Sequence, residues 1–353
     1  MKKNFPIYLF GCLIILAFSA CSPKPSAKGV ELEVVTTEFL YDTAAFPQCH
    51  ASTIVETKDG LLASFFGGTH ERANDVCIYT TRKVDGEQWS APEKVADGFV
   101  NDTLTYPTWN PVLFEVGDRL YLYYKVGPSP TEWWGMSIYS TDEGKSWSQP
   151  KKLPENILGP IRNKPISLKS GVILSPSSIE YTPELWKAHI ERSTNDGRTW
   201  TKIDIPANDS IKVIQPTLLV HPDGKIQALL RSNQNVIMQS WSDDDGLTWS
   251  EVSPTKIVHP NSGIDAVSTT SGWYFLVNNP LKSGESWEMG RNKLYLYASK
   301  DGINWEKIYD LEDQPQGEFS YPAIIQAKDG SLHITYTYNR SKIKHVQLHF
   351  SEE

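Results

Sequence analysis

Polar side chains interrupt the otherwise apolar starts of several segments that alternate like β-strands. If these segments surround one axis, their polar side chains line a central pocket of the kind that binds small ligands. The amide, ammonium and carboxylate groups in such a pocket could bind the hydroxyl and acidic groups of a sugar. The residues that we expect to bind substrate in this way are Asn110, Lys164, Glu180, Asp265 and Asn279.

Two arginines and one histidine could add charge to this pocket. Arg231 interrupts the end of an apolar strand-like segment, and Arg291 precedes another. A planar guanidinium binds a carboxylate through a bidentate fork, so two converging arginines would select an acidic ligand. His50 lies in a further strand-like segment and titrates near neutral pH. The chain also has 12 Trp and 16 Tyr, whose flat rings suit sugar binding and aromatic sheet cores equally well.

An internal repeat defines the elements that must position these residues. Its pattern is Ser-x-Asp/Asn-x-Gly-x-Ser/Thr-Trp. Three full copies, one shorter copy and one degenerate copy lie at residues 140–147, 193–200, 242–249, 299–305 and 85–89 respectively. The copies recur about every 50 residues, a spacing typical of propeller blades and other arrays. Asp and Gly favour a tight turn within each copy, and Asp-Gly pairs at 59–60, 223–224 and 329–330 indicate β-hairpins.

The repeat also identifies a fold class and a family resemblance. No long amphipathic helix is evident between residues 29 and 353, so we expect an all-β protein. The repeats resemble the Asp boxes of sialidases, and the resemblance covers almost all of the chain after its N-terminal segment. It implies a six-bladed β-propeller of four-stranded antiparallel blades over residues 33–353, with the last blade closed by the N-terminal strand.

The resemblance to sialidases implies a catalytic site at the propeller axis. In that family an arginine triad grips the carboxylate of the sugar, a Tyr activated by a Glu is the nucleophile, and a loop Asp is the general acid. Tyr321 matches the nucleophile and Asp75 matches the acid. Arg231 and Arg291 match the second and third arginines of the triad.

The chain departs from the sialidase pattern at two positions. Gln48 or His50 stands where the first arginine of the triad belongs, and Gln215 stands where the activating Glu belongs. Gln cannot take a proton, so another group must activate Tyr321 or the chemistry must differ. We expect His50 to replace the missing function, either as a base or as a carboxylate ligand, and to titrate between about pH 5 and 8.

The N-terminal residues resemble a secretion signal. Residues 1–20 have a basic start and a short apolar stretch, as a signal peptide does. Small residues precede Cys21 as in a bacterial lipobox, which predicts a lipidated Cys21 and a flexible tether over residues 21–32. We expect a secreted bacterial lipoprotein at the outer membrane or periplasmic face, held to the membrane by its lipid only. Secretion without a lipid is the alternative.

Charge and composition argue against other partners. The net charge is −8 and no block of Lys or Arg occurs, which argues against nucleic-acid binding. No His or Cys spacing resembles a zinc site, and neither a metal nor another cofactor is predicted. We expect a monomer.

The residues and the resemblance together predict an exo-acting glycoside hydrolase. Its substrate would carry a terminal α-linked acidic sugar, either sialic acid or a related keto-deoxy or uronic acid. A propeller lyase that acts on a uronic acid through His50 and Tyr321 is one alternative, and a non-catalytic carbohydrate-binding propeller is another. A product that absorbs in the ultraviolet would separate the lyase from the hydrolase.

Overall fold

The computed structural model describes residues 26–27, 29–84, 86–286 and 288–352. The predicted signal peptide, Cys21, residues 22–25 and Lys28 lie outside the described residues, as does Asp85 of the degenerate repeat. The predicted flexible tether is wrong at residues 30–32, which belong to a strand in which Val30 and Leu32 are buried. All regular secondary structure in the described part is β-strand. The same part of the chain holds no helix with the length and apolarity needed to cross a bilayer.

The strands form six four-stranded antiparallel blades in a ring, a β-propeller as predicted. β1 (Ser26–Ala27) and β2 (Val30–Phe39) precede blade 1, which contains β3 (Gln48–Thr57), β4 (Gly60–Gly68), β5 (Cys77–Val84) and β6 (Glu93–Ala96). A small hairpin of β7 (Phe99–Asn101) and β8 (Leu104–Thr105) leads to blade 2, which contains β9 (Thr108–Val116), β10 (Arg119–Val126), β11 (Trp134–Ser140) and β12 (Lys151–Lys152). Blade 3 contains β13 (Ile166–Ser167), β14 (Ile173–Thr182), β15 (Leu185–Ser193) and β16 (Thr201–Asp204).

The remaining blades follow the same order along the chain. Blade 4 contains β17 (Val213–Val220), β18 (Ile226–Ser232), β19 (Val236–Ser242) and β20 (Ser253–Val258). Blade 5 contains β21 (Asp265–Ser268), β22 (Tyr274–Asn278), β23 (Lys293–Ser299) and β24 (Glu306–Asp313). Blade 6 contains β25 (Phe319–Gln326), β26 (Leu332–Tyr338) and β27 (Lys342–Glu352), and β2 completes it by pairing with β27. The N-terminal strand therefore closes the ring.

A buried carboxylate reinforces this closure. Glu38 of β2 accepts hydrogen bonds from His345 of β27 at 3.0 Å and from Trp89 of blade 1 at 3.0 Å, and it pairs with Lys83 of β5. Burial raises the pKa of Glu38, but these donors outweigh burial and lower the pKa to about 2. The ionised carboxylate thus links the N-terminal strand to β27 of its own blade and to blade 1.

The repeated sequence pattern forms the turn between the third and fourth strands of a blade. In the copy at 140–147, Asp142 accepts hydrogen bonds from the backbone and the hydroxyl of Ser146 at 2.9 and 2.6 Å. Ser140 Oγ accepts from the backbone N–H of Gly144 at 2.8 Å and donates to Asp142. These bonds, led by the one from the Ser146 hydroxyl, lower the pKa of Asp142 below its usual range. Each such turn satisfies its own polar groups, which is why the pattern recurs with so little variation.

The innermost strands of four blades contain equivalent bulges. In β3, β9, β17 and β25, two residues lie opposite one residue of the neighbouring strand. The first of each pair has a left-handed backbone conformation, with φ of 59° at Ala51, 26° at Asn110, 53° at Gln215 and 53° at Tyr321. A bulge redirects a side chain, and such strain is concentrated at functional sites. Because strand direction alternates, the loops between second and third strands share this end of the ring, which we call the site face. The Asp-box turns lie on the opposite face.

Candidate active site at the propeller axis

Tyr321, Arg231 and Gln215 meet at the axis. Arg231 ends β18, and its Nη1 donates a hydrogen bond to Tyr321 Oη at 2.7 Å and another to Gln215 Oε1 at 3.2 Å. Tyr321 and Gln215 are presented by the bulges of β25 and β17. A guanidinium that donates to a phenolic oxygen stabilises negative charge on that oxygen. Gln215, which stands where the family's activating Glu was expected, therefore shares the Arg231 guanidinium with Tyr321. Arg231 is the residue that contacts the Tyr321 hydroxyl.

One asparagine fixes two arginines side by side. Asn261 Oδ1 accepts from Arg231 Nε at 2.6 Å, and the Asn261 carbonyl accepts from Arg291 Nη2 at 2.9 Å. Arg291 also donates to Glu318 Oε1 at 3.1 Å. Burial, followed by the charge of Arg231, lowers the pKa of Arg291. The structure thus brings together the two arginines that the sequence placed in different blades.

A third arginine reaches this cluster from the loop between β26 and β27. Arg340 Nε donates to Glu318 Oε2 at 2.8 Å, so Glu318 lies between Arg340 and Arg291. Arg340 also forms an ion pair with Glu71, which belongs to the loop between β4 and β5 of blade 1. Burial lowers the pKa of Arg340, but Glu71 and Glu318 outweigh burial and raise it. The side chain is charged and half-buried beside the position where the first arginine of the triad was expected.

A fourth arginine lies beneath the tyrosine ring. Arg162 is 1% exposed and donates to the carbonyl oxygen of Pro322, the second residue of the Tyr321 bulge. Its guanidinium carbon is 5.4 Å from the centroid of the Tyr321 ring. Burial lowers the pKa of Arg162 to about 10, so it remains protonated at neutral pH. Arg162 therefore adds a buried positive charge to the site.

His50 packs against Tyr321 but does not bond its hydroxyl. The two ring centroids are 4.1 Å apart at an interplanar angle of 48°. His50 is 2% exposed, and neither ring nitrogen has a hydrogen-bond partner among the described residues. Burial lowers its pKa well below 6.5, and the charges of the four surrounding arginines lower it further. These effects favour the neutral form of His50, which does not fit the titration near neutral pH that we expected.

The other two sequence candidates from blade 1 lie towards its rim. Gln48 is exposed at the start of β3, near the crevice that Glu71 and Arg340 also line. Asp75 is exposed and closes the loop 69–75, where its carboxylate accepts from the Thr69 hydroxyl at 2.6 Å and from the Thr69 backbone at 3.0 Å. Glu71, in the same loop, is the carboxylate that contacts the arginine cluster.

Asp265 and Lys164 stabilise the ring and are not available to a substrate. Each oxygen of the Asp265 carboxylate accepts two hydrogen bonds from the protein: Oδ1 from Thr217 and Ala266, and Oδ2 from Lys164 and the backbone of Ile324. These partners belong to four different blades. Asp265 is 1% exposed, so our expectation that this pair binds substrate is corrected to a structural role.

The remaining polar candidates divide between structure and site. The side-chain amide of Asn279 donates to the carbonyl oxygens of Lys293 and Phe319 at 2.6 and 2.7 Å, so Asn279 ties blade 5 to blade 6 and not to a ligand. Asn110 is buried in the bulge of β9 at the axis. Glu180 is half-buried near the end of β14, where burial raises its pKa although the charge of Arg231 opposes this. Asn110 and Glu180 thus remain candidates for binding.

Sequence reasoning missed Arg340, Asn261 and Glu318 as parts of the site, and it placed Arg162 only within a polar run expected to line the pocket. Arg162 stood within a polar run before a proline, and Arg340 follows Asn339 in a turn where both have positive φ. A charged residue in a turn is ordinarily solvated, so only the folded ring shows that this one reaches the axis. Within the described ranges no three His, Cys, Asp or Glu side chains are grouped as a metal site would require.

The fold and site define a six-bladed β-propeller with a cluster of arginines around a tyrosine at its axis. Residues 59–334 match the family described as BNR repeat-like domain, and the chain belongs to this family.

The chain is similar over part of its length to a curated anhydrosialidase. It is 25% identical over 237 residues to the anhydrosialidase of Macrobdella decora, a match that covers 59% of this chain and 30% of that protein. The chain thus spans less than a third of the length of this curated relative.

Solved structures share the fold. A protein of unknown function from Dyadobacter fermentans superposes with a TM-score of 0.73 at 16% identity, covering 91% of this chain and 99% of that one. The intramolecular trans-sialidase from Ruminococcus gnavus gives a TM-score of 0.68 at 15% identity, covering 88% and 96% of the two chains. At such identities the likeness shows the propeller architecture alone.

Proposed function

We propose that the chain is an exo-acting glycoside hydrolase of the sialidase superfamily that releases a terminal α-linked acidic sugar. The observation that carries this proposal is the arginine cluster around Tyr321, in which Arg231, Arg291 and Arg340 approach from three consecutive blades. Planar guanidinium groups recognise carboxylates, and a buried cluster of them favours an anion over a neutral sugar.

The proposed reaction assigns one task to each contact. The sugar carboxylate binds Arg231, Arg291 and Arg340, competing with Glu318 and Glu71 for their donors. Tyr321 Oη gives up its proton to water and attacks the anomeric carbon as the bond from that carbon to the leaving oxygen breaks, and the hydrogen bond from Arg231 stabilises negative charge on the attacking oxygen.

A carboxylic acid on the loop 69–75 then completes the reaction. Asp75 is the residue that the sialidase pattern assigns to protonate the leaving oxygen, and Glu71 is the loop residue nearest the arginine cluster. Water releases the sugar in a second step, as in retaining glycosidases. The name of the curated relative, an anhydrosialidase, supports a sugar acid as the substrate.

The decisive experiment is product identification on a set of defined oligosaccharides. Each oligosaccharide in the set ends in α-linked sialic acid, a keto-deoxy acid or a uronic acid, and each acid is compared with its methyl ester. Release of a free saturated acid sugar from the acid but not from the ester supports the proposal. An unsaturated product that absorbs in the ultraviolet would show a lyase, and binding without turnover would show a carbohydrate-binding propeller.

Tyr321→Phe provides the matched test of mechanism. Removing the attacking hydroxyl should lower turnover by about 10²–10⁴-fold, the range for loss of one group that acts directly in the reaction. Tyr338→Phe in the same blade is the control, because Tyr338 packs on the Phe319 and Phe39 rings away from Arg231. Equal activity of the two variants would remove Tyr321 from the mechanism.

We also propose that the chain is a secreted lipoprotein anchored through Cys21, with no other membrane attachment. The layout of the first 21 residues supports this proposal. Cys21→Ser should release the protein from the membrane fraction and abolish incorporation of labelled palmitate. A variant that keeps both membrane association and label would show that Cys21 is not the anchor.

A further inference from the structure

A groove separates the outer parts of blades 2 and 3. Its volume is about 520 Å³, within the range of sites for small ligands. One wall is the face of β10 and β11, the floor includes β12, and the other wall is the Asp-box turn of blade 3 with Arg198 and Trp200. The groove therefore opens at the rim and towards the face opposite the site face, away from Tyr321.

Aromatic rings form one wall of this groove. Tyr121 and Tyr123 alternate along β10 and so point to the same face, with ring centroids 5.7 Å apart and an interplanar angle of 16°. Tyr139 of β11 lies directly across from Tyr121, with ring centroids 5.9 Å apart. Trp200 lines the opposite wall. Flat rings with a polar edge on two sides of a cleft suit a ligand with both apolar faces and hydroxyl groups.

The charge of the groove is opposite to that of the chain. Arg119, Lys151, Lys152 and Arg198 line it, and no Asp or Glu does so among the residues described as its lining. The whole chain has a net charge of −8. Arg198 pairs with the exposed carboxylate of Asp196 at 3.3 Å, a contact that solvent weakens, and Arg119 lies 4.5 Å from the Tyr139 ring centroid. The groove therefore offers cations beside aromatic faces.

Other grooves between blades lack this combination. The groove between blades 4 and 5 has a similar volume of about 480 Å³ but is lined by one lysine, Lys256, and one glutamate, Glu306. The groove between blades 6 and 1 is lined by Glu56 and Asp329 as well as lysines. The positive charge is thus a property of the groove between blades 2 and 3 and not of inter-blade grooves in general.

We propose that the groove between blades 2 and 3 is a second binding site that takes an acidic oligosaccharide. Its sugar rings would lie between Tyr121 and Trp200, and its carboxylates or sulfates would bind Lys151, Lys152 and Arg198. This site is separate from the axial pocket, so it would hold the protein on a polyanionic glycan while the axis acts on chain ends. It does not require the axial site to be catalytic.

The test measures binding and does not depend on turnover. Tetragalacturonate is titrated by calorimetry into the full protein, and its fully methyl-esterified form provides a neutral ligand of the same length. The double variant Lys151→Glu, Lys152→Glu changes two exposed residues of the groove, and Lys256→Glu is the matched change in the groove between blades 4 and 5. Arg231→Lys weakens the axial carboxylate contacts and shows which site is being titrated.

We expect the double variant to weaken tetragalacturonate binding by about tenfold or more, because two charge-assisted contacts become repulsive. Lys256→Glu and Arg231→Lys should leave the affinity of this site unchanged, and the ester should bind at least about tenfold more weakly than the acid. Equal affinities of the double variant and the Lys256→Glu control, or equal binding of acid and ester, would overturn the proposal. Sensitivity to Arg231→Lys alone would assign the binding to the axis instead.

Discussion

Arg231→Lys is the substitution that tests the axial site most directly. Arg231 uses Nη1 for Tyr321 and Gln215 and Nε for Asn261, three contacts that depend on a planar fork. A single ammonium group keeps the charge but cannot reach all three acceptors. A hydrogen bond to a charged group is worth about 1.5–3 kcal/mol. If the one to Tyr321 is lost in the transition state, kcat/KM should therefore fall by about 10- to 150-fold.

The way in which the rate falls identifies what Arg231 does. If it only binds the sugar carboxylate, KM rises and kcat is unchanged, whereas stabilisation of charge on Tyr321 Oη lowers kcat. The assay is initial-rate kinetics on the acidic substrate found by product identification, with thermal unfolding as the check on folding. Arg192→Lys is the control, because Arg192 donates to the Asp245 carbonyl at 2.9 Å near an Asp-box turn. A folded Arg231→Lys protein whose kcat/KM lies within about threefold of wild type would refute the reasoning.

Other predictions concern the buried polar groups. His50→Asn should leave the pH dependence of kcat/KM between pH 5 and 8 unchanged, because burial and the surrounding arginines hold the His50 pKa well below 6.5; loss of one limb would show that it titrates. Asp265→Asn should lower the free energy of unfolding by about 3 kcal/mol in urea titrations, since it leaves Lys164 without its buried carboxylate; a change below about 1 kcal/mol would contradict the structural role. Burial and a neighbouring imidazole lower the pKa of His333 to about 4, so the unfolded chain binds this proton more readily and stability should fall as pH drops from about 6.5 towards 4, by up to about 3 kcal/mol. His333→Gln should flatten this dependence and the exposed His349→Gln should not; equal effects of the two would refute the assignment.

The sequence was sufficient to predict the architecture because a propeller repeats a local signal. Each Asp box satisfies its own hydrogen bonds within eight residues, so its pattern survives in the sequence and counts the blades. Ring closure by β2 was predicted from the same count and is confirmed. Arg231 could be found because it interrupts the end of an apolar strand, and Tyr321 because its segment resembles the strand that bears the nucleophile of sialidases.

Which residues form the site could not be predicted from a local pattern, because this depends on which side chains the closed ring brings together. Asp265 and Lys164 looked like pocket residues, yet they lie close enough to satisfy each other and are removed from binding. Arg340 looked like a turn residue, yet Glu318 and Glu71 draw it into the axis. No periodicity records such pairings between blades, so a local pattern predicts that a polar residue is buried but not whether it is left free for a ligand.

The bulges at the axis explain why one scaffold presents different chemistry from each blade. Three of the four left-handed bulge residues precede a proline, in Asn110-Pro, Gln215-Pro and Tyr321-Pro. Proline has no backbone N–H, so no donor is left without a partner where the bulge interrupts the ladder. Each left-handed residue costs about 1–3 kcal/mol, which the surrounding strands must offset. The left-handed conformation is thus repeated in four blades, while the side chain at that position is a methyl group at Ala51, an amide at Asn110 and Gln215, and a phenol at Tyr321. Because Arg231, Arg291 and Arg340 lie at the site-face ends of blades 4, 5 and 6, and Arg162 packs under Tyr321, positive charge gathers on the Tyr321 side of the axis. Blades 1 to 3 face it with the loop 69–75 and Glu180, so we expect substitutions there to change which aglycone is accepted and substitutions in blades 4 to 6 to change whether the acid is bound at all.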